Sequence, residues 1–111
     1  MEIRSVGVEE ELLLIDASQQ RPTAVADRVV AHARRFHPGE DPPVERELKQ
    51  EQIEIGSTAT TSMPALHADL VRLRAAAARA AEAEGSTIVA LATNPWKNSP
   101  SMTPTPRYER I

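Results

Sequence analysis

Residues 64–84 constrain the fold of this chain more than any other stretch. Leu66, Leu70, Leu73, Ala77 and Ala80 recur at the three- and four-residue spacing of one helical face. Ser62 and Pro64 supply a start signal and Gly85 a stop. A helix over this span is about 30 Å long, so the remainder of a 111-residue chain has to form a layer against its apolar stripe.

The other segments supply such a layer. Residues 3–16 are rich in Val, Leu and Ile with acidic interruptions and pass into a turn-rich exit, which predicts a strand. Val25, Val29, Ala33 and Phe36 mark one face of a helix of about three turns, stopped by His37-Pro38-Gly39. Residues 44–55, ending in the alternation Gln52-Ile-Glu-Ile55, predict a second strand, and residues 86–93 a third, short and buried. Prolines at 95, 100, 104 and 106 make the remainder loop. The order strand, helix, strand, helix, strand predicts an α+β or α/β layer with helices on one face of a small sheet. No closing element follows the last loop, so the expectation is one partial domain, residues 1–111, whose sheet lacks further strands.

Composition removes several function classes. The absence of cysteine excludes a disulfide scaffold and a zinc–thiolate site and fits a reducing cytoplasm. The start resembles no leader peptide, and no apolar run approaches the roughly 20 residues of a membrane span. The net charge of -3, with the acidic residues concentrated in the first half, argues against a nucleic-acid footprint. One Trp, one Tyr and one Phe leave little with which to stack bases.

Two segments suggest chemistry. Glu9, Glu10 and Glu11 interrupt an otherwise apolar strand, and alternation turns Glu9 and Glu11 to one face, with Gly7 leaving space before them. Val6, Val8, Leu12 and Leu14 line the other face, where Glu10 also falls, either at a bulge or sheet edge or against an arginine. In Lys49-Gln-Glu-Gln-Ile-Glu-Ile55, Ile53 and Ile55 facing the helices leave Gln50, Gln52 and Glu54 on the opposite face. On neighbouring strands, Glu9, Glu11 and Glu54 converge, and hard oxygen donors in a sheltered space suit Mg²⁺. The alternative is a solvated acidic face. His32, His37 and His67 lack metal-ligand spacing, and no phosphate-cradling glycine motif is present. Trp96 reads as a cap over the sheet end, while Arg107 and Tyr108 suit a carboxylate or phosphate.

Taken together, Gly7-Val-Glu-Glu-Glu-Leu-Leu-Leu-Ile-Asp16, Glu47-Leu-Lys-Gln-Glu-Gln-Ile-Glu-Ile-Gly56, Ala92-Thr-Asn-Pro95 and Thr103-Pro-Thr-Pro-Arg-Tyr-Glu-Arg-Ile111 resemble the N-terminal part of the type 2 glutamate-cysteine ligases, also called carboxylate-amine ligases. The resemblance implies an α+β, glutamine-synthetase-like curved antiparallel sheet holding Mg²⁺ and ATP. It implies transfer of phosphate to the γ-carboxylate of glutamate and displacement of that phosphate by an amine such as cysteine. Glu9, Glu11 and Glu54 fall on the family's metal positions and Glu51 is a weaker match; Arg107, with Tyr108, falls on an Arg-Tyr motif for substrate or phosphate. Asn94 stands where the family usually has histidine, and the later His-x-His strand is absent, so the chain is expected to be inactive alone. The alternative is a non-catalytic module that binds a cation or associates through its incomplete sheet.

Overall fold

The computed structural model describes residues 3–36, 44–47, 49–91, 95 and 104. Six elements follow in the order β1 (Glu9–Asp16), α1 (Ala26–Phe36), β2 (Glu45–Arg46), β3 (Gln52–Gly56), α2 (Met63–Ala83) and β4 (Ser86–Val89). The strands form one antiparallel sheet in the order β2-β3-β1-β4. The fold is therefore α+β, a four-stranded sheet with two helices.

β1 lies inside the sheet because it is the strand with enough apolar residues to be covered on both sides. Leu12, Leu13, Leu14 and Ile15 are all buried. Leu12 and Leu14, with Ile53 and Ile55 of β3, form the core beneath Val29, Ala33, Leu73, Ala77 and Ala80 of the helices. The alanines let the helices approach each other and the sheet closely. Ile88 of β4 packs at the margin of the same core.

The helix boundaries follow from local chemistry. Ser62 caps α2, its hydroxyl accepting the Ala65 N–H at 3.2 Å, and Pro64 occupies a first-turn position that needs no N–H donor. Gly85 follows the helix at φ +72, a conformation in which a side chain is strained, and turns the chain into β4. Replacing Ser62 with Ala should cost about 1 kcal/mol, read as an earlier thermal transition in the α-helical circular dichroism signal. α1 begins where the Gln50 carbonyl accepts the Ala26 N–H at 3.0 Å and the Gln50 side-chain oxygen accepts the Asp27 N–H at 3.2 Å. Arg34 and Arg35 in its last turn suit the helix dipole.

Four expectations change. The buried strand expected over residues 86–93 is β4, Ser86–Val89, in which only Ser86 is buried, and Ala90 and Leu91 lie outside it, exposed. The strand expected over residues 3–16 begins only at Glu9; Val6 makes a single bridge to Thr60 and is exposed. Gly7 borders Ser57 and Ala59, where a Cβ would make ordinary contacts of 3.7–4.0 Å, so it opens no space beside the glutamates. The strand expected over residues 44–55 is a hairpin, β2 and β3, with the chain reversing between them. Gln50 accordingly lies before β3, buried against the start of α1. The loop prolines at 100 and 106, Trp96 and His37 lie outside the described residues.

Candidate functional site

On the face of the sheet away from the helices the strand register assembles a row of carboxylates. Glu54 of β3 is directly paired with Glu11 of β1 on one side and with Glu45 of β2 on the other. Directly paired residues in an antiparallel sheet present their side chains on the same face, and like charges so placed repel. Glu9 stands on that face two residues along β1, opposite Gly56. Glu9, Glu11 and Glu54 thus lie on one face of neighbouring strands, as strand alternation predicts.

The row perturbs its central member. Burial, a hydrogen bond to Glu47 and the negative charges of Glu9, Glu47 and Glu45 push the Glu54 carboxyl up to about 7. At neutral pH this group is divided between its protonated and ionised forms. Glu45 and Glu47 are the members that sequence patterning missed. Their part depends on the hairpin, and Lys49-Gln50-Glu51 carries no glycine or proline to announce a reversal.

Glu10 resolves differently. It turns to the helix side and accepts two hydrogen bonds from Arg74 of α2, from Nε at 2.7 Å and from Nη2 at 2.7 Å. This pairing holds the Glu10 carboxyl below the usual carboxylate range against the opposing effect of burial. Of the two expectations for Glu10, the arginine contact is the one found. Glu51 is buried just before β3, and its carbonyl accepts the Leu14 N–H at 2.7 Å.

A cleft of about 440 Å³ opens beside the acidic strand, lined by Glu9, Glu10, Glu11, Glu54, Ala90 and Leu91. Its floor is the stretch of β1 beyond the last β4 pairing at Val89. A second cleft, about 310 Å³, lies between the helices, lined by His32, Ala33, Phe36, Ala76, Arg79 and Ala80, and contains no carboxylate. His32 packs on Phe36 there with ring centroids 4.7 Å apart, a packing role consistent with its lack of ligand spacing.

Among the described residues no three His, Asp or Glu side chains stand close enough together to hold one metal ion. The donor chemistry nevertheless fits a hard divalent cation: oxygen donors bordering a cleft, with a central carboxyl raised to about 7 by burial and by its acidic neighbours. Arg107 and Tyr108, expected to bind substrate or phosphate, and Asn94 lie outside the described residues. No described helix is long and apolar enough to cross a membrane.

Comparison with known proteins places these observations in a family context. Residues 5–111 match the model of glutamate-cysteine ligase family 2. A Frankia alni protein provisionally named glutamate–cysteine ligase 2-2 is 43% identical, covering 98% of this chain and 31% of its own length. Similar proteins from Streptomyces avermitilis and Streptomyces coelicolor, provisionally named glutamate–cysteine ligase 2-1 and 2, are 42% and 39% identical; each alignment covers 96% of this chain and 29% of the relative. The chain therefore spans about a third of the length of these curated relatives. No solved structure matches it.

Proposed function

The chain belongs to glutamate-cysteine ligase family 2, and from that premise we propose that it contributes the first part of the active site of an ATP-dependent carboxylate–amine ligase. The substrates are glutamate and an amine such as cysteine. The product is a γ-glutamyl amide, formed when the amine displaces phosphate from an acyl phosphate. The observation that carries this reading is the row Glu11, Glu54 and Glu45 across three strands, with Glu9 beside it, bordering an open cleft. In this reading the sheet is a portion of a glutamine-synthetase-like curved antiparallel sheet.

Glu9, Glu11 and Glu54 would hold Mg²⁺, whose chemistry is to neutralise phosphate charge during transfer from ATP. The residues of this chain do the rest of the local work. The strand pairing sets these glutamates on one face of neighbouring strands, bordering the cleft. Leu91 and Ala90 give the cleft one apolar wall. Glu54 releases its proton more readily once a positive charge faces it, which couples occupancy of the site to pH near 7. Arg107 and Tyr108 are assigned to substrate or phosphate binding by their match to the family's Arg-Tyr motif. The remaining ligands and the catalytic groups come from further sequence, of which the relatives have about twice as much again, and the chain alone is inactive. Self-association through the sheet finds little support, since its edge strands β2 and β4 are two and four residues long and offer few free ladder groups.

The test is ATP-dependent condensation of glutamate with cysteine by a protein of full family length carrying this segment. Glu9→Gln and Glu54→Gln should each lower the rate at least tenfold at subsaturating Mg²⁺, a loss of about 1.4 kcal/mol, with partial recovery as Mg²⁺ is raised. Undiminished turnover in both variants removes the acidic face from the mechanism.

A further inference from the structure

α1 ends on an exposed aromatic side chain. Val29 and Ala33 on its apolar face are buried, but Phe36, the next member of that face, is 64% exposed. The reason lies on the neighbouring helix, where α2 presents Ala76 and Ala80, side chains too short to reach across. The cleft of about 310 Å³ is the space left between the Phe36 ring and a floor of Ala33, Ala76 and Ala80, all three buried. His32 packs on Phe36 and supports one side of its ring.

The charge of this cleft is one-sided. Arg79 stands on its wall, and among the described residues no carboxylate lines it. α2 carries three arginines: Arg72 is paired with Asp69 and Arg74 with Glu10, whereas Arg79 has no carboxylate partner among the described residues. An apolar cleft with one guanidinium at its rim suits a ligand with an apolar body and a single anionic group. The ring and the alanines take the body out of water, and the guanidinium fork matches a carboxylate through two parallel hydrogen bonds. Size decides between kinds of occupant. A volume of about 310 Å³ falls at the lower end of small-molecule sites, roughly 300–1,000 Å³, and is too small for a helix or strand laid along the groove.

We propose that the cleft between α1 and α2 binds a small organic anion, a monocarboxylate with an aromatic or branched apolar body, held between Phe36 and the alanine floor with its carboxylate on Arg79. The site lies between the helices and the acidic row on the opposite face of the sheet, so this ligand is separate from the chemistry proposed above and does not depend on it.

Amide nuclear magnetic resonance of the 111-residue chain at pH 7, titrated with phenylacetate, tests the site. Phenylacetamide has the same body without the charge, and acetate the charge without the body. Phenylacetate should move the signals of Ala33, Phe36, Ala76 and Ala80 with a Kd on the order of 1 mM. Phenylacetamide should bind at least about fivefold more weakly and acetate at least about tenfold. Arg79→Ala should weaken phenylacetate at least about fivefold and leave phenylacetamide within about twofold, a difference that mere loosening of the helices would not produce. Phe36→Ala should weaken both. Each of these two side chains is exposed, so neither variant takes volume from the core. Should Phe36→Ala fail to fold, Arg79→Ala with the two probes decides. Phenylacetate binding unchanged in Arg79→Ala or in a folded Phe36→Ala, shifts confined to other residues, or no shifts at about ten times the expected Kd each overturn the proposal. Signals of Phe36 and Arg79 that move with protein concentration in the absence of ligand would place a second copy in the cleft and also overturn it.

Discussion

Truncating Leu14 to Ala should lower the unfolding free energy of this chain by about 2–5 kcal/mol, a large part of the roughly 5–15 kcal/mol that holds a small domain together. Leu14 is fully buried. It lies on the central strand, its N–H donating to Glu51 at 2.7 Å and its carbonyl accepting from Thr23 at 2.9 Å. Collapse around the lost methyl groups is therefore opposed by backbone held on two sides. The facing helix surface is built largely of alanine, which has no longer rotamer with which to fill a void. Urea unfolding monitored by circular dichroism would show the midpoint falling with the slope unchanged. Val71→Ala, at a position 54% exposed on α2, is the internal control and should stay within about 0.5 kcal/mol. A loss below about 1 kcal/mol for Leu14→Ala would show that the core is packed differently.

Glu54→Gln should abolish a pH dependence that the parent displays. The Glu54 carboxyl is raised from 4.5 to about 7 in the folded chain. Between those values the folded state holds a proton that the unfolded state has released, so stability falls as pH rises through this window. Above about 7 the folded chain carries the full cost of an ionised Glu54 facing Glu9, Glu45 and Glu47. Glutamine bears no charge at any pH, and the variant should be the more stable protein at pH 8 and closest to the parent near pH 4. Much of the side chain is within reach of solvent, so screening keeps the gain at about 1 kcal/mol or less. Thermal unfolding from pH 4 to 8 measures it; parallel curves for the two proteins would contradict the assigned cause. Mg²⁺ added to the parent should stabilise it more at pH 8 than at pH 6, because the cation competes with the proton.

What could be read from the sequence alone follows a physical division. α2 and α1 were legible because a helix displays its buried face at fixed spacing and its ends through local chemistry, Ser62 and Gly85 above all. The shared face of Glu9, Glu11 and Glu54 was legible because strand parity is also local, once β1 and β3 are taken as neighbours. The hairpin between β2 and β3 was not. Its reversal contains no turn residue and is fixed at a distance, by Gln50 holding the first N–H groups of α1. Glu45 therefore stayed hidden although it completes the acidic row. Likewise the partner of Glu10 is 64 residues away on α2, and no spacing rule reaches so far.

The central place of β1 also shapes how the chain comes together. Its partners arrive late: β3 follows by roughly forty residues and β4 by roughly seventy. At ribosomal speeds of about 5–20 residues per second, the strand waits on the order of 4–15 s between its own synthesis and that of its second neighbour. Throughout that interval Leu12, Leu13, Leu14 and Ile15 form an uncovered apolar run able to pair with other nascent chains. Three glutamates immediately before it and Asp16 immediately after place negative charge at both ends, the arrangement that discourages such pairing. The triplet thus guards the strand before the sheet exists, and its neutralisation would first be felt as lost soluble yield during expression.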